Sequence, residues 1–136
     1  MNAQIRELFE RYERANADFD VAKIASLYAD VFMFGGEQGV QAVKKDDFLK
    51  VLPRRKEFFR SIGLVSSQVE QIETTQLDSR YVLAKVVWKM QIERSGTGGS
   101  EIKTSASYLL WVSNGSFQIV FQVDHQDLAK KVKELS

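Results

Sequence analysis

The segment YVLAKVVWKMQIE, Tyr81 to Glu93, carries the clearest period in the chain. Val82, Ala84, Val86, Trp88, Met90 and Ile92 fall on one side of an extended strand. The other side mixes Leu83 and Val87 with Lys85, Lys89 and Gln91. Side chains alternate across a strand, so this two-residue period marks a β-strand with one face toward a core. Working outward, Asp78-Ser79 supplies a turn before it, and Leu64 to Leu77 reads as a preceding strand of irregular alternation. Arg94 to Glu101, with three glycines, predicts a mobile hairpin loop, and Ile102 to Val112 is the next strand. Asn114-Gly115 is a two-residue hairpin turn, because both residues tolerate the left-handed backbone that such turns require. Phe117 to Asp124 forms the last strand, and Asp127 to Leu135 a short basic helix.

The first half has a different rhythm. Ile5, Leu8, Phe9, Tyr12 and Ala15 recur at three- and four-residue spacing from Asn2 to Ala17, which predicts an amphipathic helix with a charged outer face. Asp18 and Asp20 offer a break and a cap, and a shorter helix follows with Val21, Ile24, Ala25, Leu27 and Tyr28 inward, closed by Asp30. Val31 to Phe34 is a short apolar strand leaving through Gly35-Gly36, and Gly39 with Val40 to Val43 suggests a short partner strand. Lys44 to Ile62 is helical again, with Phe48, Leu49, Leu52, Phe58, Phe59 and Ile62 inward and Gly63 at its end. Pro53, the sole proline, is expected to kink this element or to start a second short helix. Helices grouped ahead of an antiparallel sheet define an α+β layer packing within one domain, residues 1–136. Long strands bent around such helices leave a cavity between the layers.

Composition narrows the possible functions. Lys and Arg number 19 against 18 Asp and Glu, a net charge of +1, so no global field recruits nucleic acid or an anionic membrane. There is no cysteine, which removes disulfides, thiolate nucleophiles and cysteine metal sites. With a single histidine and no clustered carboxylates, neither a transition-metal site nor a cofactor is expected. The first residues alternate charged and apolar positions, unlike a signal peptide, and the apolar runs are too short to span a bilayer, so the expected location is cytoplasmic.

Arg11-Tyr12 followed by Asp18 and Asp20, then Leu27-Tyr28-Ala29-Asp30 leading into a strand, form a recognisable set. Trp88 in a long strand, Gly115 at a hairpin and Asp124-His125 at the end of the last strand complete it. With this element order the chain resembles the nuclear transport factor 2-like superfamily, which includes ketosteroid isomerases, scytalone dehydratases and SnoaL-type cyclases. The resemblance implies a cone-shaped, cystatin-like α+β roll, its strongly bent mixed or antiparallel sheet wrapped around N-terminal helices. It also implies Tyr12 at the position of the isomerases' oxyanion-hole tyrosine. The isomerase base would fall at or beside Gly36 and the second oxyanion-hole acid near Tyr108, and neither residue supplies the carboxyl group required. Glu37 is the only carboxylate near the first of these. Steroid-isomerase chemistry is therefore set aside.

Candidate ligand-binding residues are Tyr12, Phe34, Trp88, Tyr108, Gln122, Asp124 and His125. Tyr12 offers a hydroxyl donor or is a core tyrosine with its hydroxyl satisfied at the rim. Tyr108, Gln122 and Gln71 are polar groups on apolar strands that either orient a ligand or face solvent. Asp124 and His125 point to opposite faces of a strand, so they cannot form a dyad. One of them faces the cavity mouth as acid or base, or both merely end the strand while Asp124 or Asp127 caps the last helix. Gly35 to Gly39 lacks the Lys-Ser/Thr of a phosphate loop and reads as a turn. The basic run Lys44, Lys45, Lys50, Arg54, Arg55, Lys56 and Arg60 reads as a solvated helix face, and it lacks the exposed aromatics of a nucleic-acid surface.

The last two strands are apolar on both faces: Tyr108, Leu110 and Val112 against Leu109 and Trp111, and Phe117, Ile119, Phe121 and Val123 against Val120. A sheet apolar on both sides needs two covers, and the expected second cover is another copy of the chain, giving a homodimer through the outer sheet face. Two functions fit this layout. One is a pocket for a small apolar molecule, with isomerase-, dehydratase- or cyclase-type chemistry. The alternative is a non-enzymatic protein-interaction module.

Overall fold

The computed structural model describes residues 2–94 and 98–134. Residues 95–97, inside the expected glycine-rich loop, and Leu135 of the expected last helix lie outside them.

The chain runs α1 (Asn2–Asp18), α2 (Val21–Ser26), β1 (Tyr28–Gly36), β2 (Gly39–Lys44), α3 (Lys45–Ser61), β3 (Leu64–Gln76), β4 (Tyr81–Arg94), β5 (Gly98–Ser113), β6 (Ser116–Asp124) and α4 (Leu128–Lys133). The strands form one six-stranded sheet in the order β2-β1-β6-β5-β4-β3. Every neighbouring pair is antiparallel except β1 with β6, which run parallel, so the sheet is mixed. β2 and β3 are its free edges, and the sheet does not close on itself.

The α1 stripe is buried as its spacing predicts, with Ile5, Leu8, Phe9, Tyr12 and Ala15 each at most 4% exposed. They pack on the inner face of the sheet, on Val82, Ala84, Val86, Trp88, Tyr108 and Leu110. The end of α1 is closed by backbone: Phe19 N donates to Asn16 O and Asp20 N to Ala15 O, with Phe19 at φ 44°. This is the pattern of a Schellman stop, normally served by glycine, so Phe19 holds a left-handed conformation against its Cβ. Asp20 then caps α2 by accepting from Lys23 N. Glu13 ties α1 to the sheet edge, accepting from Val69 N at 2.7 Å.

Boundaries differ from the sequence reading in three places. The second helix stops at Ser26 and strand β1 begins at Tyr28, because Leu27 O takes its hydrogen bond from Ile119 N of β6. Gly98 to Glu101 belongs to β5, paired with Gln91 to Arg94, where a loop was expected. Helix α3 runs from Lys45 to Ser61 with Pro53 inside it, so the proline does not divide the element.

A further difference sets the site. Ladder pairs show a register shift in β6 between the partners of Leu109 and Leu110: Phe121 faces Leu109, and Ile119 faces Leu110. The strand therefore carries an extra residue, Val120, and its alternation reverses there. Phe117 and Ile119 point into the core ahead of the bulge, and Gln122 points inward after it. Simple alternation groups Phe121 and Val123 with Phe117 and Ile119; the bulge turns both to the outer face, beside Gly35, where a Cβ would lie 3.3 Å from Val123 Cγ2.

Candidate functional site

Between the inner face of the sheet and α1 and α3 lies a cavity of about 790 Å³, open to solvent on one side. Its walls are rich in aromatic side chains, including Phe19 at the end of α1, Phe32 and Phe34 of β1, Phe59 of α3 and Trp88 of β4. A cavity of this size with a few convergent polar groups is the usual form of a small-molecule site.

Those polar groups form a chain. The Tyr12 and Tyr28 hydroxyls meet at 2.5 Å. Tyr28 donates onward to Gln122 Oε1. Gln122 Nε2 donates to Asp124 Oδ1 at 3.0 Å. Separately, Trp88 Nε1 donates to the Tyr108 hydroxyl at 3.1 Å. Among the described residues every buried side-chain nitrogen and oxygen has a partner, so the network is complete without a ligand. Tyr12 ends this hydrogen-bonded chain and packs edge-on to Tyr28, Trp88 and Tyr108 with ring centroids 6.0, 5.7 and 6.4 Å away.

Burial pushes the Tyr12 hydroxyl above its ordinary pKa, and the positive charge of Arg55 pulls it partly back. Tyr28 and Tyr108 lie well above the ordinary value, first because they are buried and then because each faces Tyr12. All three are neutral hydroxyls at physiological pH. Burial alone would lower the Arg55 guanidinium; its neighbours Tyr12, Tyr28, Asp124 and Tyr108 outweigh that and raise it.

Six of the seven candidate residues, Tyr12, Phe34, Trp88, Tyr108, Gln122 and Asp124, border this one cavity. His125 does not. It lies on the outer face of the sheet, exposed, with Nε2 2.7 Å from Ser107 Oγ. Asp124 leaves capping of α4 to Asp127, which accepts from Ala129 N and Lys130 N. Gln71 is exposed and hydrogen-bonded to Glu73, away from the cavity. Glu37 is drawn outward to Lys130 at 3.2 Å, so no carboxylate replaces the isomerase base at the β1–β2 hairpin.

Sequence reasoning missed Arg55. It was grouped with the solvated basic residues of α3, yet it lines the cavity in a half-buried position. The signal was there: Phe48, Leu52, Arg55 and Phe59 follow one another at intervals of four, three and four residues, a single helical stripe. A cation inside an apolar stripe is placed by the fold against the core.

A mixed sheet curved over helices, with a pocket between them, defines an NTF2-like, cystatin-like protein, and solved structures agree. An NTF2-like protein with a cystatin-like fold from Novosphingobium aromaticivorans superimposes with a TM-score of 0.75 at 12% identity, covering 98% of this chain and 87% of that one. Aln2 from a Streptomyces species gives 0.75 at 9% identity, with 99% and 95% covered. A ketosteroid isomerase-like protein from Erwinia carotovora atroseptica gives 0.67 at 19% identity, with 90% and 93% covered. No curated protein sequence matches the chain. Residues 3–127 match the family model described as NTF2-like protein (DUF6841), and the chain belongs to that family. Among the described residues no helix is long and apolar enough to cross a membrane.

Proposed function

We propose that this protein binds a small, mainly apolar molecule in the cavity between its sheet and its helices. The observation that carries the reading is the convergence of Tyr12, Gln122, Asp124 and Arg55 on one end of an aromatic-walled space of about 790 Å³. Apolar walls supply affinity through buried area, and the few polar groups fix orientation. The same end holds a guanidinium donor, Arg55, and a carboxylate, Asp124, the pair of group types that proton transfer beside a carbonyl requires, one to hold the oxygen and one to take the proton. Asp124 uses Oδ1 for Gln122, and among the described residues Oδ2 has no protein partner. It is the candidate base for an isomerase-, dehydratase- or cyclase-type step.

A thermal-shift screen with polycyclic ketones and aromatic acids tests this reading. A ligand at about a hundred times its dissociation constant stabilises the fold by roughly 2.7 kcal/mol. A shift abolished by filling the cavity, as in Ala106→Trp, supports the site. An unchanged shift in that variant places binding elsewhere and refutes it.

The outer face favours a second, compatible reading, assembly of two copies. Leu109, Trp111, Phe121 and Val123 lie side by side there, each half-buried, with Leu83 39% exposed. A contiguous apolar face of this kind is uncommon on a monomer. Light scattering at micromolar concentration is expected to return a dimer mass, and Trp111→Glu a monomer. A monomeric wild type refutes it and leaves the alternative of an apolar docking face for a different protein.

A further inference from the structure

We propose that the molecule held in the cavity is an apolar monocarboxylate, bound through its carboxylate by the Arg55 guanidinium. The inference rests on the pocket reading above and names the ligand class. Arg55 occupies the inward stripe of α3 between Leu52 and Phe59. A cation withdrawn from water in this way is normally compensated by an anion. Arg55 makes no ion pair, and Asp124 acts on it only from farther off: the pairs within 4.0 Å among the described residues are made by Lys23, Lys45, Arg60, Arg80, Lys103 and Lys130. Its side-chain contacts are neutral, the Phe59 ring 5.6 Å from the guanidinium carbon and the Tyr12 hydroxyl.

The other cations at the cavity are paired or hydrated. Arg60 pairs with Glu57 at 3.6 Å, and Lys56, over the Phe19 ring at 5.9 Å, is exposed to water where Arg55 is half-buried. The tyrosine–glutamine chain satisfies itself, so Arg55 is the group with donor capacity to spare. A guanidinium presents its N–H groups as a planar fork, which matches the two oxygens of a carboxylate. Asp124 decides the charge. It borders the same cavity and acts electrostatically on Arg55 without pairing with it. One ligand charge is neutralised by Arg55; the extra charge of a phosphate monoester, about −1.5 to −2 in all, would meet the Asp124 and Glu93 carboxylates of the same cavity with only the exposed Lys56 and Arg60 to offset it. The aromatic walls then take a ring system or hydrocarbon body.

The test is isothermal titration of the full chain with matched ligands: 2-naphthoate, 2-naphthalenemethanol and 2-naphthyl phosphate, and an aliphatic pair, decanoate and decanol. Each carboxylate is expected to bind at least about tenfold more tightly than its alcohol, and 2-naphthoate more tightly than the phosphate. Arg55→Gln should weaken acid binding far more than alcohol binding and so erase the preference for the acid. Asp124→Asn should narrow the gap between 2-naphthoate and the phosphate. Equal binding of acid and alcohol by the wild type overturns the monocarboxylate assignment and leaves the pocket reading standing, as does a preference that survives Arg55→Gln. If Arg55→Gln fails to fold, the wild-type comparison still decides. Failure of every ligand, charged or neutral, overturns both.

Discussion

Replacing Tyr28 by phenylalanine removes one oxygen atom from the centre of the fold. Tyr28 is 1% exposed and Gln122 3% exposed, so water cannot replace the lost hydroxyl without opening the core. The ring keeps its contacts, with Phe32 at 4.5 Å and Phe48 at 4.8 Å between centroids, so packing changes little. What is lost is the donor to Gln122 Oε1 and the partner of the Tyr12 hydroxyl. Stranding a buried acceptor costs roughly 1–3 kcal/mol, and about 2 kcal/mol is expected. For a domain of 136 residues that lowers Tm by roughly 6–8 °C. Urea unfolding followed by circular dichroism should show a lower midpoint with an unchanged slope. Gln122→Leu removes the other side of the bond, and the double variant should recover part of the loss, a coupling of about 1–2 kcal/mol. A Tyr28→Phe cost below about 0.5 kcal/mol, the range of an ordinary surface change, with additive behaviour in the double variant, would refute a stabilising buried network.

Three other outcomes are expected. Tyr12, Tyr28 and Tyr108 hold their protons above the ordinary tyrosine value of 10.0, so the folded chain binds more protons than the unfolded one above that pH. Their stabilising contribution is complete below about pH 10 and is lost as pH rises toward the folded-state values. Absorbance of tyrosinate should therefore appear for these three only together with unfolding. Asp127→Ala removes the acceptor for Ala129 N and Lys130 N, which costs α4 about 1 kcal/mol, and its amides should exchange roughly fivefold faster with the rest of the chain unchanged. Gly39→Ala meets nothing within 4 Å, yet Gly39 sits at φ +119°, so the cost is backbone strain alone, about 1–3 kcal/mol by urea unfolding.

Local chemistry was readable where one segment answers for itself. The Tyr81–Glu93 alternation, the α1 stripe and the Asn114-Gly115 turn, at φ 50° and 77°, depend only on neighbours in sequence. The parallel pairing of β1 with β6 was not readable, because it joins segments about ninety residues apart and no local pattern records it. Of the two outcomes expected at Pro53, a second helix does not occur, since Lys45–Ser61 remains one helix around an exposed proline. The aromatic and polar residues of the site stood out because they interrupt apolar strands. Arg55 did not, because a basic helix suggests solvent by its composition and the stripe shows only when positions are counted. His125 drew attention through rarity, which carries no information about the direction a side chain points.

The Val120 bulge acts as a phase inverter written into one strand. Ahead of it β6 obeys the rules of a core strand; beyond it the same two-residue beat delivers Gln122 and Asp124 to the cavity and Phe121 and Val123 to the opposite face. The bulge thus decides which side chains of β6 reach the cavity. Straightening it with Val120 kept in the ladder would exchange the sides of everything downstream, emptying the pocket of its carboxylate and filling it with phenylalanine and valine. Deleting Val120 would instead join Ile119 directly to Phe121, which already pair with the adjacent Leu110 and Leu109, and would leave every later side chain on its present face. Two chains that differ there by one residue, one bulged and one regular, would present the same groups to the pocket although counting by twos along the strand assigns them opposite faces.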